Sequence, residues 1–334
     1  MPKIAEIEYF LTDVDGNYGW GEASVEKHTE FKSRFIGWEA NNIEHIWHSV
    51  WRMGFYRGGP VLQSALSGLD IALWDLKGVR DKVKVYAWIG GDRPDDVKQQ
   101  ALARLAQGFK AVKMNATADI DLLDAPASLD SAADRLATVK SLGMDAGVDF
   151  HGRIYKPMAK QLAKLLEEHR PMFIEEPLLS EHHEGIAELS QLTTFLNPTI
   201  IDVLQPDISH VGGISEIKKI SAMCEAYDIA IAPHCPLGSI ALAACLQIAA
   251  STPNHVIQEM SLGIHYNIES GEEDIGTYVH IPQVFDVSNG YVNVADGPGL
   301  GIQINEKVVR KLSQKAKPWR SGSFVAYDGS FREW

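Results

Sequence analysis

The 334 residues carry a formal charge of −13, with 45% hydrophobic and 22% charged side chains, enough apolar material for a sizeable core in one large domain or two. The acidic balance speaks against a nucleic-acid partner, which wants a basic face, and an anionic ligand has to find local cations against that field. No apolar stretch approaches the roughly 18 residues of a membrane span, the amino terminus has no signal-type apolar run, and three cysteines without a Cys-x-x-Cys pair read as reduced thiols, so a cytoplasmic protein with no membrane partner is expected.

Along the chain, Ile7 to Leu11 reads as a strand, Asp13-Val14-Asp15-Gly16-Asn17 as a turn, and Gly19 to Glu22 as a second strand end. Ile43, Ile46, Trp47 and Val50 recur at helical spacing. After Gly58-Gly59-Pro60, the residues Leu62, Ala65, Leu66, Leu69, Ala72, Leu73 and Leu76 mark a buried helix. This first stretch is an α+β unit with no chemistry of its own.

From Lys82 the pattern changes to strand, loop and helix in alternation. Strands are expected at 83–88, 109–115, 146–150, 172–175, 200–205, 229–233 and 256–259. Pro94 opens the helix after the first of them, and further helices are expected at 158–168 and 214–227. Such alternation implies parallel strands joined by right-handed crossovers. A closed barrel of this type needs eight strands, and the gap lies where the helix ending near Leu192-Thr193-Thr194 runs directly into Phe195-Leu196-Asn197-Pro198. An open seven-stranded sheet is the alternative, and the strand-end residues favour the barrel.

Successive strand tips present Lys113 and Asn115, Asp149 and His151, Glu175 and Glu176, Asp207 and His210, His234, and Glu259. Six strands in a row ending in ionisable or amide groups point to a site mouth. Asp149 and Glu175 are hard oxygen donors suited to Mg²⁺. Glu176 is the alternative to Glu175, although strand alternation turns only one of the two inward. His234 suits a base, with Asp207 as the group that fixes its tautomer. Gly58-Gly59, Gly90-Gly91 and Gly212-Gly213 lack phosphate-loop spacing. His182-His183 reads as solvated surface, and Trp319 and Trp334 as packing or subunit-contact residues.

Together these residues resemble the enolase superfamily, mandelate racemase subgroup, and within it the dehydratases that act on galactonate. The resemblance is carried by Phe55-Tyr56-Arg57-Gly58-Gly59-Pro60, Gly147-Val148-Asp149-Phe150-His151-Gly152-Arg153, Phe173-Ile174-Glu175-Glu176-Pro177, Leu204-Gln205-Pro206-Asp207, Ala232-Pro233-His234-Cys235-Pro236-Leu237-Gly238, and Gln258-Glu259 with Ser261 to Asn267. It implies an α/β fold: a modified TIM-type (β/α) barrel over residues 83–266 with an α+β capping domain made by residues 1–82 and the returning segment 267–334. It implies a Mg²⁺-dependent acid-sugar dehydratase acting on galactonate, with gluconate or another aldonate as the alternative substrate. By resemblance Mg²⁺ sits on Asp149 and Glu175. His234, assisted by Asp207, removes the proton α to the carboxylate, Glu259 helps stabilise the enediolate, and His151 protonates the departing hydroxyl. The use of a Lys or His base with Mg²⁺ is general to the superfamily. Lys113, Asn115 and Arg57 are expected to contact the small acid-sugar substrate, and such enzymes form homo-oligomers.

The family's third metal ligand, a Glu in a Gly-Glu-Arg motif ending the fifth barrel strand, has no counterpart here. It would lie between Thr194 and Phe195, where the eighth strand is missing. Both observations point to one absent stretch of roughly 15–20 residues, with further abrupt joins near Leu11-Thr12, Glu26-Lys27 and Gly78-Val79. An untraced loop is expected there rather than a deletion. A genuine deletion leaves a metal-free binding or scaffold protein as the alternative to an enzyme.

Overall fold

The structure is a computed structural model of the 334-residue chain. It describes residues 4–7, 10–13, 18–20, 31, 34–38, 43–53, 59–75, 82–90, 96–118, 120–192, 201–236, 238–261, 275–295, 297–314, 325 and 329. Thr194 is followed directly by Phe195 in the 334-residue sequence, so the stretch expected between them as a loop is absent from the chain itself.

The chain forms two compact units, Met1–Val85 with Val203–Glu306 and Tyr86–Asp202 with Lys307–Trp334. In the first, β1 (Ile4–Ile7), β2 (Phe10–Asp13) and β3 (Tyr18–Trp20) make an antiparallel sheet in that order. This corrects the single strand expected over Ile7 to Leu11, because those two residues face each other as partners across the β1–β2 hairpin. An apolar run alone does not reveal a chain reversal. Most of the turn expected at 13–17 falls outside the described residues.

Helices α1 (Ile43–Trp51) and α2 (Pro60–Asp75) follow, the second opened by a proline whose missing N–H costs nothing at that position. Phe31, Phe35, Ile46, Val50, Leu66 and Leu69 bury their side chains together as the core of this part. In the same unit β8 (Val203–Leu204) and β9 (Ala230–Ile231) pair in parallel, with α7 (Gly213–Glu225) between them. Then come α8 (Ser239–Ala250), buried nearly all round, and β10 (Gln258–Met260).

The start of α7 is held by α1 and α2. Trp47 Nε1 donates to the Gly212 carbonyl at 2.8 Å, Gln63 Nε2 donates to the Val211 carbonyl at 2.7 Å, and the Gly212 amide donates to Ser67 Oγ at 2.8 Å. Asp70 accepts from the Ser215 amide at 3.1 Å, the bond an N-terminal cap would make, supplied here by another helix. Gly212 and Gly213 have φ of 113° and 80°. A Cβ on Gly212 would strike Gln63 and Trp47, and one on Gly213 would strike Asp70. The glycine pair without phosphate-loop spacing is thus a packing site for α2.

In the second unit, the end of β4 (Lys82–Trp88), β5 (Ala111–Asn115), β6 (Asp145–Asp149) and β7 (Ile174–Glu175) lie side by side in parallel. The connections are α3 (Val97–Ala106), α4 (Pro126–Ser141) and α5 (Lys156–Glu167), with α6 (His183–Leu192) after β7. Each of the seven strands expected from Lys82 onward is present, mostly shortened. Every residue of β5 is buried, as expected for a parallel strand covered on both faces. The cysteines are buried thiols, and among the described residues no helix is long and apolar enough to cross a membrane.

Burial pushes Asp70 up to about 7, against the pull of its bonds to Ser215 and Ile214 and of Lys219. A carboxylate raised on folding stabilises fully below its unfolded value and loses that contribution as pH rises through the folded value. Stability should therefore fall between pH 4 and pH 7. Asp70→Asn, which keeps an acceptor for Ser215 without the charge, is expected to flatten that slope in urea unfolding measured across the range.

Candidate active site

The parallel register of β5, β6 and β7 places Asn115 opposite Asp149 and Asp149 opposite Glu175. Three polar side chains thus form one row across the carboxyl ends of three strands. All three are buried. Glu175 is the buried member of its pair and Glu176 is exposed.

One layer below, Lys113 is the register partner of Gly147. Gly147 has no side chain, and the Phe173 ring fills that space so closely that a Cβ would collide with it. Tyr86 packs on the same ring at 5.8 Å between centroids. Lys113 extends from this aromatic layer into the row above. Its ammonium lies 2.7 Å from Glu175 Oε1 and 3.8 Å from Asp149 Oδ2, and 5.5 Å from the Trp88 ring centroid. Expected at the substrate, Lys113 is buried against the two carboxylates, at 1% exposure.

Asp149 Oδ1 accepts the His151 amide at 2.7 Å, and Oδ2 lies 3.0 Å from His151 Nε2. Arg153 Nη2 stands 3.2 Å from His151 Nδ1. An arginine can only donate, so in the neutral ring Nδ1 accepts and the proton sits on Nε2, facing Asp149. His151 and Glu176 adopt φ of 53° and 41°, the left-handed region that side chains other than glycine seldom enter. Two such residues directly after Asp149-Phe150 and Glu175 mark backbone strain at the strand ends. The Gly152 amide donates to the Glu176 carbonyl at 2.9 Å and ties the two strained turns together.

The first unit carries a second set. Asp207 Oδ1 accepts the Ser209 amide at 2.7 Å, which fixes the carboxylate, and Oδ2 lies 2.8 Å from His234 Nδ1. A carboxylate of this kind accepts, so His234 carries its proton on Nδ1 and its Nε2 is the basic position. Gln258 Nε2 donates to the Pro233 carbonyl at 2.9 Å and the Cys235 amide donates to Glu259 Oε2 at 2.8 Å. The residues on both sides of His234 are thereby pinned by β10. Sequence reasoning found His234, Asp207 and Glu259 and missed Gln258, whose only signal was its place beside Glu259. It missed Arg153 too, three residues past the strand. Arg57 lies outside the described residues.

Burial, then the neighbouring Glu175 carboxylate, push Asp149 up to about 8, against the pull of Lys113 and of the His151 amide. Glu175 Oε2 is buried without a hydrogen-bond partner. Two hard oxygen donors, one of them with an oxygen left without a hydrogen bond, fit Mg²⁺, which takes one or two carboxylates and keeps waters. Among the described residues no group of three His, Cys, Asp or Glu side chains could hold a metal.

Comparison with known proteins gives two family matches. The mandelate racemase / muconate lactonizing enzyme N-terminal domain matches residues 12–90, and the enolase C-terminal domain-like family matches residues 96–308. A D-galactonate dehydratase of Ralstonia pickettii (strain 12J) is 41% identical over 362 residues, covering 96% of this chain and 94% of the relative. One from Variovorax paradoxus (strain S110) is 40% identical with the same coverage. An alignment of 362 residues is longer than the 334-residue chain, so these relatives carry internal residues that this chain lacks. Among solved structures, an enolase from Agrobacterium radiobacter with bound sodium and L-malate superposes with a TM-score of 0.82 at 24% identity, covering 99% of this chain and 98% of that one. A member of the enolase superfamily from Salmonella Typhimurium gives 0.79 at 23% identity, with 93% and 98% covered.

Gly147→Ala is expected to displace Phe173 and cost roughly 1–3 kcal/mol by overpacking. Urea unfolding measures the loss.

Proposed function

The chain belongs to the mandelate racemase / muconate lactonizing enzyme family of the enolase superfamily, and we propose that it is an acid-sugar dehydratase converting D-galactonate to 2-dehydro-3-deoxy-D-galactonate and water. Its fold is the modified (β/α) barrel with an α+β capping domain. In the proposed division, residues 1–82 and 267–334 form the cap and 83–266 the barrel.

The observation that carries this reading is the difference between the two imidazoles. His234, with its Nδ1 proton directed to Asp207, presents Nε2 as a base. His151 faces Asp149 Oδ2 with Nε2 at 3.0 Å and is assigned as the acid in its imidazolium form, since a neutral imidazole giving up its one ring proton would leave an imidazolate. An α-proton elimination needs one of each, on different carbons of one substrate. His234 takes the C2 proton and the electrons move into an enediolate. His151 gives its proton to the C3 hydroxyl, which leaves as water, and the resulting enol tautomerises to the 2-keto acid. Glu259, whose Oε2 accepts the Cys235 amide, is assigned to the enediolate oxygens as a protonated acid, the form that can donate a hydrogen bond to them. Asn115 and Arg57 are assigned to the substrate's carboxylate and hydroxyls.

Asp149 and Glu175 would hold Mg²⁺, whose charge would stabilise negative charge developing on the substrate carboxylate. The relatives named above are galactonate dehydratases, which supports the substrate. A cytoplasmic homo-oligomer is part of the same proposal. The second reading, a metal-free binding protein, is favoured by one observation: an ammonium already occupies the carboxylate pair.

The test incubates the purified chain, of verified mass 36.9 kDa, with D-galactonate and other aldonates at millimolar Mg²⁺. The 2-keto-3-deoxy product is expected from galactonate and not in EDTA. His234→Asn should abolish turnover, and Asp207→Asn should lower kcat by roughly 10²–10⁴. No turnover with any aldonate selects the binding protein.

A further inference from the structure

A pair of buried carboxylates side by side repel each other and need positive charge within a few ångströms. For Asp149 and Glu175 that charge is already present in the chain. Lys113 Nζ makes a 2.7 Å hydrogen bond to Glu175 Oε1 and lies 3.8 Å from Asp149 Oδ2. Its side chain is as buried as theirs, at 2% exposure against 1% for Asp149 and 8% for Glu175. It does not reach the pair from solvent on a loose tether. It rises from β5 through a layer in which Gly147 contributes no side chain, with Tyr86 and Trp88 presenting their rings to the ammonium at 6.0 and 5.5 Å. Aromatic faces at that distance favour a cation.

We infer that Lys113 is the resident cation of the Asp149–Glu175 pair, and that Mg²⁺ entering this site must compete with its ammonium. The ammonium makes the carboxylate row self-sufficient, so the strand ends keep their geometry without metal. The same positive charge repels a divalent ion, and the hydrogen bond to Oε1 leaves Glu175 Oε2, which has no hydrogen-bond partner, as the oxygen that a metal can take without breaking it. Lys113 is therefore a positioning residue acting through the two carboxylates. This rests on reading Asp149 and Glu175 as cation ligands and is independent of which acid sugar is bound.

The test reads metal binding and stability instead of turnover, so failure of the galactonate reading leaves it intact. Mn²⁺ serves as the probe, titrated into wild type and Lys113→Gln and followed by electron paramagnetic resonance. Lys113→Gln should bind Mn²⁺ at least about tenfold tighter, because a buried like charge has been removed. Its Tm should fall without metal and recover when Mg²⁺ is added. The wild-type Tm should move by no more than about 1 °C in 10 mM Mg²⁺, as expected for a ligand near or below half-saturation. Equal or weaker Mn²⁺ binding by Lys113→Gln overturns the inference. So does a wild-type Tm that rises by several degrees with Mg²⁺, a measurement that decides the matter even if Lys113→Gln does not fold.

Discussion

Parallel register is the constraint on which the rest of the second unit depends. Once β5, β6 and β7 align Asn115 with Asp149 and Asp149 with Glu175, two carboxylates share one buried row, and their repulsion has to be answered inside the protein. Lys113 answers it from the row beneath. That lower row in turn needs Gly147 empty, so that the Phe173 ring fits. The strained turns at His151 and Glu176 follow from the same alignment. Each strand must end abruptly after its carboxylate so that the next residues turn away from the core, and the Gly152 amide locks the two turns together.

The first unit solves a different problem, that of holding a base still. His234 is fixed by Asp207, and Asp207 by the Ser209 amide. The loop that follows is fixed by Trp47, Gln63, Ser67 and Asp70 on α1 and α2. The helices of the amino-terminal stretch have no chemistry of their own, yet their hydrogen bonds end four to eight residues beyond Asp207. Precision at the imidazole is thus supported by a chain of polar contacts that, after the His234–Asp207 pair itself, are each made to a backbone group. Such contacts tolerate little movement, because an unpaired buried carbonyl or amide is costly.

Much of this was legible in the sequence, and what was hidden has a physical reason. Asp149, Glu175, Asp207, His234 and Glu259 stand at the tips of expected strands, and it is the succession of such tips, not any one of them, that points to a site mouth. The reversal between Ile7 and Leu11 was hidden because strand pairing is not written in a five-residue apolar run. The place of Lys113 was hidden because it depends on a register with Gly147 more than thirty residues away. Asp70 gave a clue that was not used: an acid in the otherwise apolar run Leu69-Asp70-Ile71-Ala72 has to find a buried partner, here the start of α7. Gly212-Gly213 has no phosphate-loop spacing, and two adjacent glycines also allow a helix to approach closely, as α2 does here through Gln63 and Asp70.

The central claim is that proton abstraction and hydroxyl departure belong to different imidazoles. Exchange of the C2 hydrogen of D-galactonate in D₂O, followed by NMR with millimolar Mg²⁺, tests it most directly. His151→Asn should still exchange that hydrogen for deuterium while releasing no 2-keto-3-deoxy acid, and His234→Asn should do neither. Exchange that persists in His234→Asn, or vanishes in His151→Asn while wild type exchanges, would contradict the account.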